Sequence, residues 1–145
     1  MVFVEHTVEF KGDLKSAWDK LVDWKSMPSW DIFIDDIQFD GPLKPGSRGR
    51  MKSRDGHFYD LVVTSLTPLS DYSDEAKIMG STFVFYHELK EKEPGTIAMR
   101  FTISATGFIA FIFKYPINNA LAQKLPILMN NFKLQYEESR QQSPT

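Results

Sequence analysis

The stretch TIAMRFTISATGFIAFIFKYPINNALAQKLPILMNNFKLQYEE, residues 96–138, changes its period part-way along, and that change decides the fold. Up to Thr106 it reads as a strand. Beyond Gly107, the residues Ile117, Leu121, Leu125, Leu128 and Phe132 recur at steps of four, four, three and four, the stripe of an amphipathic helix. Two prolines qualify it, since each removes a backbone donor and clashes with the preceding turn. Pro116 predicts a helix that begins in earnest after Tyr115, and Pro126 predicts a bend. The helix is expected to end near Glu138, ahead of a polar tail from Ser139 to Thr145.

Upstream, short strands are punctuated by turn chemistry. They are expected at Thr82–Lys92 and Glu75–Met79, separated by Gly80-Ser81 and followed by Pro94-Gly95. Ser47–Arg54 and His57–Thr67 flank Asp55-Gly56, a pair suited to the positive φ angles of a type I′ hairpin turn. Ile34–Asp40 precedes them. Connections this short cannot make parallel crossovers, so the meander is antiparallel. At the start of the chain, Val4, His6, Val8 and Phe10 alternate with Glu5, Thr7 and Glu9 over Val2–Lys11, a half-buried strand. Gly12-Asp13 then breaks the strand and supplies an N-cap for a helix carrying Leu14, Trp18, Leu21 and Val22. Ser26 and Pro28 suit the first turn of a second short helix. One strand, two helices, six meandering strands and a long helix make an α+β order, with helices packed on one face of a single sheet. A long helix lying across a strongly curved sheet leaves space between them, and aromatic walls would make that space a pocket for an apolar ligand.

Composition narrows the partners. The chain has 145 residues and 16.7 kDa, enough for one domain with a real core, here placed at residues 1–138. It has no cysteine, which excludes disulfides and thiolate metal sites. Seventeen basic residues against 19 acidic ones give no electrostatic footprint for nucleic acid. The residues Met1–His6 do not resemble a targeting signal, and the apolar run Gly107–Phe113 stops at Lys114, far short of a membrane span. A cytoplasmic monomer or homodimer without cofactor is the resulting expectation. What stands out is the aromatic load of 12 Phe, 5 Tyr and 3 Trp, concentrated between Phe83 and Tyr115.

The chain resembles the START-like, birch-pollen-allergen-like (SRPBCC) superfamily, and within it the polyketide cyclase/dehydrase type of small domain. The likeness spans about residues 2–138. It is carried by Trp18, Asp23-Trp24, Pro28 and Trp30, then by Gly41 and Gly46 around a loop, His87, Gly95-Thr96 and Gly107. Leu125-Pro126, Leu134 and Glu137 in the last helix complete it. The resemblance implies the helix-grip fold, a curved antiparallel sheet of about seven strands (β-α-α-β6-α) wrapped around a long C-terminal helix. Members include lipid and sterol carriers, plant hormone receptors, polyketide aromatases and dehydratases. They share no catalytic motif that could be carried over to this chain.

The lining of such a pocket is expected from Trp30, Met51, Tyr59, Phe83, Phe85, His87, Met99, Phe101, Phe108, Ile112, Leu121, Leu125 and Leu128. Its ligand would be a small apolar molecule: a lipid, a sterol-like compound or an aromatic polyketide. His87 alternates with Phe83, Phe85 and Leu89, so it should share their concave side, where a buried imidazole needs a partner. His6 has two readings, a pocket-wall acid/base group or a histidine satisfied at a strand edge. His87, Tyr59 and His6 are the candidates to orient a ligand's polar end. In the enzymatic alternative, a cyclase or dehydratase would move protons in the same cavity with His87 and Tyr59. A third reading is a partner-binding module whose cavity is filled by its own rings. No Gly-x-Ser-x-Gly turn, phosphate-cradling glycine loop or metal-ligand spacing is present. Arg48, Arg50, Lys52 and Arg54 form an alternating basic row, read as a solvated convex face paired with Asp35, Asp36 or Asp40. Phe108, Phe111 and Ile112 would gate the pocket or touch a membrane, and a helical segment there would turn Phe111 or Phe113 outward.

Overall fold

The computed structural model describes residues 2–142. Seven antiparallel strands form one sheet: β1 (Val2–Lys11), β2 (Ile34–Phe39), β3 (Arg48–Ser53), β4 (Phe58–Thr67), β5 (Asp71–Ile78), β6 (Ser81–Glu93) and β7 (Thr96–Gly107). Their spatial order is β1-β7-β6-β5-β4-β3-β2, so the meander runs back to place the last strand beside the first. Helices α1 (Leu14–Val22) and α2 (Met27–Trp30) connect β1 to β2, and α3 (Phe108–Ile112) leads into the long α4 (Lys114–Gln142). This is the expected α+β helix-grip architecture. No helix among the described residues is long and apolar enough to cross a membrane.

The periodicities translate directly into burial. On β1, Val4 and Phe10 are buried while Glu5, Thr7 and Glu9 face water. On α4, the stripe through Leu125, Leu128 and Phe132 is buried, and Met129 and Tyr136 extend it. Asp13 caps α1 as its carboxylate accepts the Ser16 N–H at 2.9 Å. The C-terminal half of α4 is fastened to this cap, because the Tyr136 hydroxyl accepts the Asp13 N–H at 3.0 Å and lies 2.7 Å from Ser16 Oγ.

Five local expectations change. The Asp55-Gly56 turn is not type I′, since only Gly56 has a positive φ, +92°. The Gly56 N–H donates to the Ser53 carbonyl at 2.9 Å, and the Ser53 N–H to His57 at 2.8 Å, the pattern of a hairpin closed by a glycine bulge. Ser26 does not cap α2 with its side chain; its hydroxyl donates back to the Asp23 carbonyl at 2.9 Å, at the end of a 3-10 turn over Trp24–Ser26. Strand β5 begins at Asp71 rather than Glu75, immediately after the Thr67–Ser70 turn. Helix α4 already includes Lys114, because Pro116 falls in a first turn where its missing N–H costs nothing. It also runs on to Gln142 through the segment expected as tail, held there by Arg140, which donates to Asp13 at 2.8 Å and to the Tyr136 hydroxyl at 3.1 Å.

Arg48, Arg50 and Lys52 lie on the convex side as expected, although only one partner comes from the preceding strand; Arg54 lies past the end of β3, in the turn, and reaches α2 instead. Lys52 meets Asp35 at 3.7 Å, whereas Arg50 meets Asp60 on β4 at 3.3 Å and Arg54 donates to the Pro28 carbonyl at 2.9 Å.

Candidate functional site

Strand register determines which side chains face α4. Partners directly across a ladder point to the same face. One such row crosses His6, Phe101, His87 and Tyr72 on β1, β7, β6 and β5, and the next crosses Val4, Ile103, Phe85, Asp74 and Val63. A third pairs Ala105, Phe83, Ala76 and Leu61. The rings of β6 and β7 therefore stand on the concave side, opposite Leu121, Leu125 and Leu128 of α4.

Sheet and helix do not close completely on each other. A cavity of about 260 Å³ lies between them. Its wall includes Trp30, Met51, Tyr59, Phe83, Phe85, His87, Phe101, Leu121, Leu125 and Leu128, and its rim reaches the exposed Asp55 of the β3–β4 turn. The rings thus do not fill the space, contrary to the filled-cavity alternative. Four candidates fall elsewhere. Met99 is fully buried in the closed core, in the row Val8–Met99–Leu89, two residues beyond the cavity row along β7. Phe108 and Ile112 are 69% and 50% exposed, because α3 turns outward once the Ala110 N–H is held by Ser81 Oγ at 3.0 Å. Phe111 and Phe113 both face outward as well. His6 shares the Phe101–His87 row but sits one strand too far along, on β1, and is not part of the cavity wall.

His87 is packed between rings. It stacks on Tyr72 with centroids 4.2 Å apart and meets Phe101 edge-on at 4.7 Å. Its Nδ1 lies 3.3 Å from the Tyr72 carbonyl, which can only accept. Nδ1 therefore carries the proton and Nε2 is an acceptor. Burial holds the imidazole neutral, with its pKa down to about 4.

Two carboxyl groups, neither among the residues expected from the sequence, complete the polar end. Asp74 is 9% exposed, lines the cavity from β5, and has no hydrogen-bond partner for Oδ1 among the described residues. Burial, reinforced by the negative charge of Asp31, raises its pKa to about 7. Asp31 follows α2, where its Oδ1 accepts the Phe33 N–H at 2.9 Å. Burial raises it to about 6, opposed by that hydrogen bond and by the charge of Arg54. Trp30, adjacent in sequence and 2% exposed, leaves its Nε1–H without a partner among the described residues. The signal for Asp74 was available: it alternates with Tyr72 and Ala76, which puts it on the ring-bearing face once β5 is extended back to Asp71. Among the described residues, no three His, Cys, Asp or Glu side chains are placed to hold a metal ion.

No protein-family model matches the sequence, and no curated protein matches it. Solved structures do share its shape. A START superfamily protein from Mycobacterium smegmatis superposes with a TM-score of 0.78 at 11% identity, covering 94% of this chain and 97% of its own. XoxI from Bacillus cereus gives 0.77 at 14% identity, over 97% and 99% of the two chains. DynU16, from the dynemicin biosynthetic locus, gives 0.74 at 15% identity, over 93% of this chain and 47% of its own. At these identities the likeness concerns architecture, and it agrees with the strand order and the long final helix. The chain has the START-like helix-grip fold.

Proposed function

We propose that this protein binds a small hydrophobic molecule, of the lipid, sterol-like or aromatic polyketide-like kind, between the sheet and α4. The observation that carries the reading is the cavity, whose wall is mainly aromatic and aliphatic. Buried ligand carbon would contribute roughly 25 cal/mol per Å². The three wall groups without partners among the described residues, Trp30 Nε1, Asp74 Oδ1 and Thr102 Oγ1, support the reading further, since buried polar atoms are costly unless something satisfies them. A fluorescent apolar dye should bind and be displaced by medium-chain alcohols. Phe85→Trp should weaken that binding by roughly tenfold, because overfilling a packed wall costs about 1–3 kcal/mol. A protein that takes up no apolar compound would contradict the proposal.

One observation favours a reaction in the same cavity. An acid/base catalyst works best with a pKa near the working pH, and Asp74, at about 7, meets that condition better than His87 at about 4. In a cyclase or dehydratase of this kind, Tyr59 and His87 would orient the substrate. Turnover of a polyketide-like substrate should then follow a titration near neutrality. Asp74→Asn should abolish it, and turnover equal to the parent's would remove this reading.

A further inference from the structure

The charged groups along the cavity wall are of one sign. Asp31 and Asp74 present carboxyl oxygens, and His87 presents Nε2 as an acceptor because its Nδ1–H is engaged by the Tyr72 carbonyl. Among the described residues no lysine or arginine lines the wall. Arg54 acts on Asp31 with its guanidinium held at the Pro28 carbonyl, and the donors that the wall does offer are neutral: the Trp30 indole and the hydroxyls of Tyr59, Tyr72 and Thr102. Asp74 Oδ1 is a carboxyl acceptor without a partner among the described residues, on a side chain that is only 9% exposed.

From this juxtaposition we infer that the ligand is an apolar molecule ending in an amine, bound as its ammonium against Asp31 and Asp74. This rests on the binding reading above and names its ligand class. An ammonium offers up to three donors and a full positive charge to groups that supply acceptors and negative charge. An alcohol offers one donor and no charge. A carboxylate offers only further acceptors, and its charge would be repelled in a setting of low polarity. The stacked Tyr72 and His87 rings flank Asp74 on the sheet side, and Phe83, Phe85 and Leu125 offer apolar wall for the hydrocarbon tail.

The test compares octylamine, octanol and octanoate by isothermal titration at pH 7, with each ligand kept below its aggregation limit. Octylamine should bind at least about tenfold more tightly than octanol, as one charge-assisted hydrogen bond is worth about 1.5–3 kcal/mol, and octanoate should bind weakest. Asp74→Asn should shrink the octylamine-to-octanol preference, and Asp31→Asn should do the same if the first variant folds poorly. Octanoate binding as tightly as octylamine, or octylamine no better than octanol, would overturn the inference while leaving hydrophobic binding in place. Binding of none of the three would overturn the reading on which it rests.

Discussion

Asp74 binds its proton more tightly in the folded chain than in the unfolded one, because burial and the Asp31 charge both penalise its ionised form. Its pKa rises from the ordinary 3.8 to about 7, so between those values the folded state holds more protons. Stability contributed by this residue therefore falls as pH rises through that window. Each tenfold change in proton affinity is worth about 1.4 kcal/mol, which makes the cost above neutrality at most about 4 kcal/mol. Asp74→Asn should accordingly raise the urea midpoint at pH 8 and change it far less at pH 4; an equal effect at both would contradict the assignment. His87 works in the opposite sense. Its pKa falls from 6.5 to about 4, so the unfolded chain binds that proton more tightly and stability is lost as pH drops through this range. His87→Gln should flatten the acid-side loss between those values, measured by the same denaturation series. Both groups point to one cause, a polar end left in an apolar wall.

At the scale of elements, the two halves of α4 have separate duties. Leu121, Leu125 and Leu128 border the cavity, whereas Tyr136 and Arg140 anchor the helix to the β1–α1 junction. Gly12 makes that anchor possible, because a Cβ there would run into the Tyr136 ring. Gly12→Ala should destabilise the fold by about 1–3 kcal/mol, the usual cost of overpacking. Tyr136→Phe should cost about 1 kcal/mol by removing the hydroxyl that Asp13, Ser16 and Arg140 share. Octanol affinity, measured well below the melting temperature, should stay within about twofold of the parent in Gly12→Ala, since that position is remote from the cavity wall. A parallel loss of binding would mean that anchor and cavity are one unit. The same division explains what the sequence could and could not reveal about α4. Its stripe of leucines was legible as a period, but its C-terminus was not. Ser139 to Gln142 look polar and tail-like until the Arg140 contacts to Asp13 and Tyr136, distant in sequence, hold them in the helix.

Over the whole molecule, the order of elements and the sheet's concave rings followed from period changes and turn residues, because those are local properties. The cavity's extent did not. Met99 has the correct strand parity and still sits in closed core, since parity selects a face of the sheet and not a position along it. Phe108 and Ile112 looked like a gate because they precede the helix; Gly107, with φ +112°, turns the chain so that α3 shows them to solvent. A strand expected from Glu75 leaves Asp74 in a loop, whereas β5 begins at Asp71 and turns that carboxyl inward. The Met99, Phe108 and Ile112 differences concern where the sheet and helix part, which depends on long-range packing.

A cavity between sheet and α4 matters to function only if it receives a small hydrophobic molecule, as proposed. Native mass spectrometry of the protein purified from its own cells, and again after incubation with octanol and octylamine, tests it most directly. The 16.7 kDa chain should carry one additional small mass that is released on gentle collisional heating. The bare chain alone, both as purified and after incubation, would contradict it.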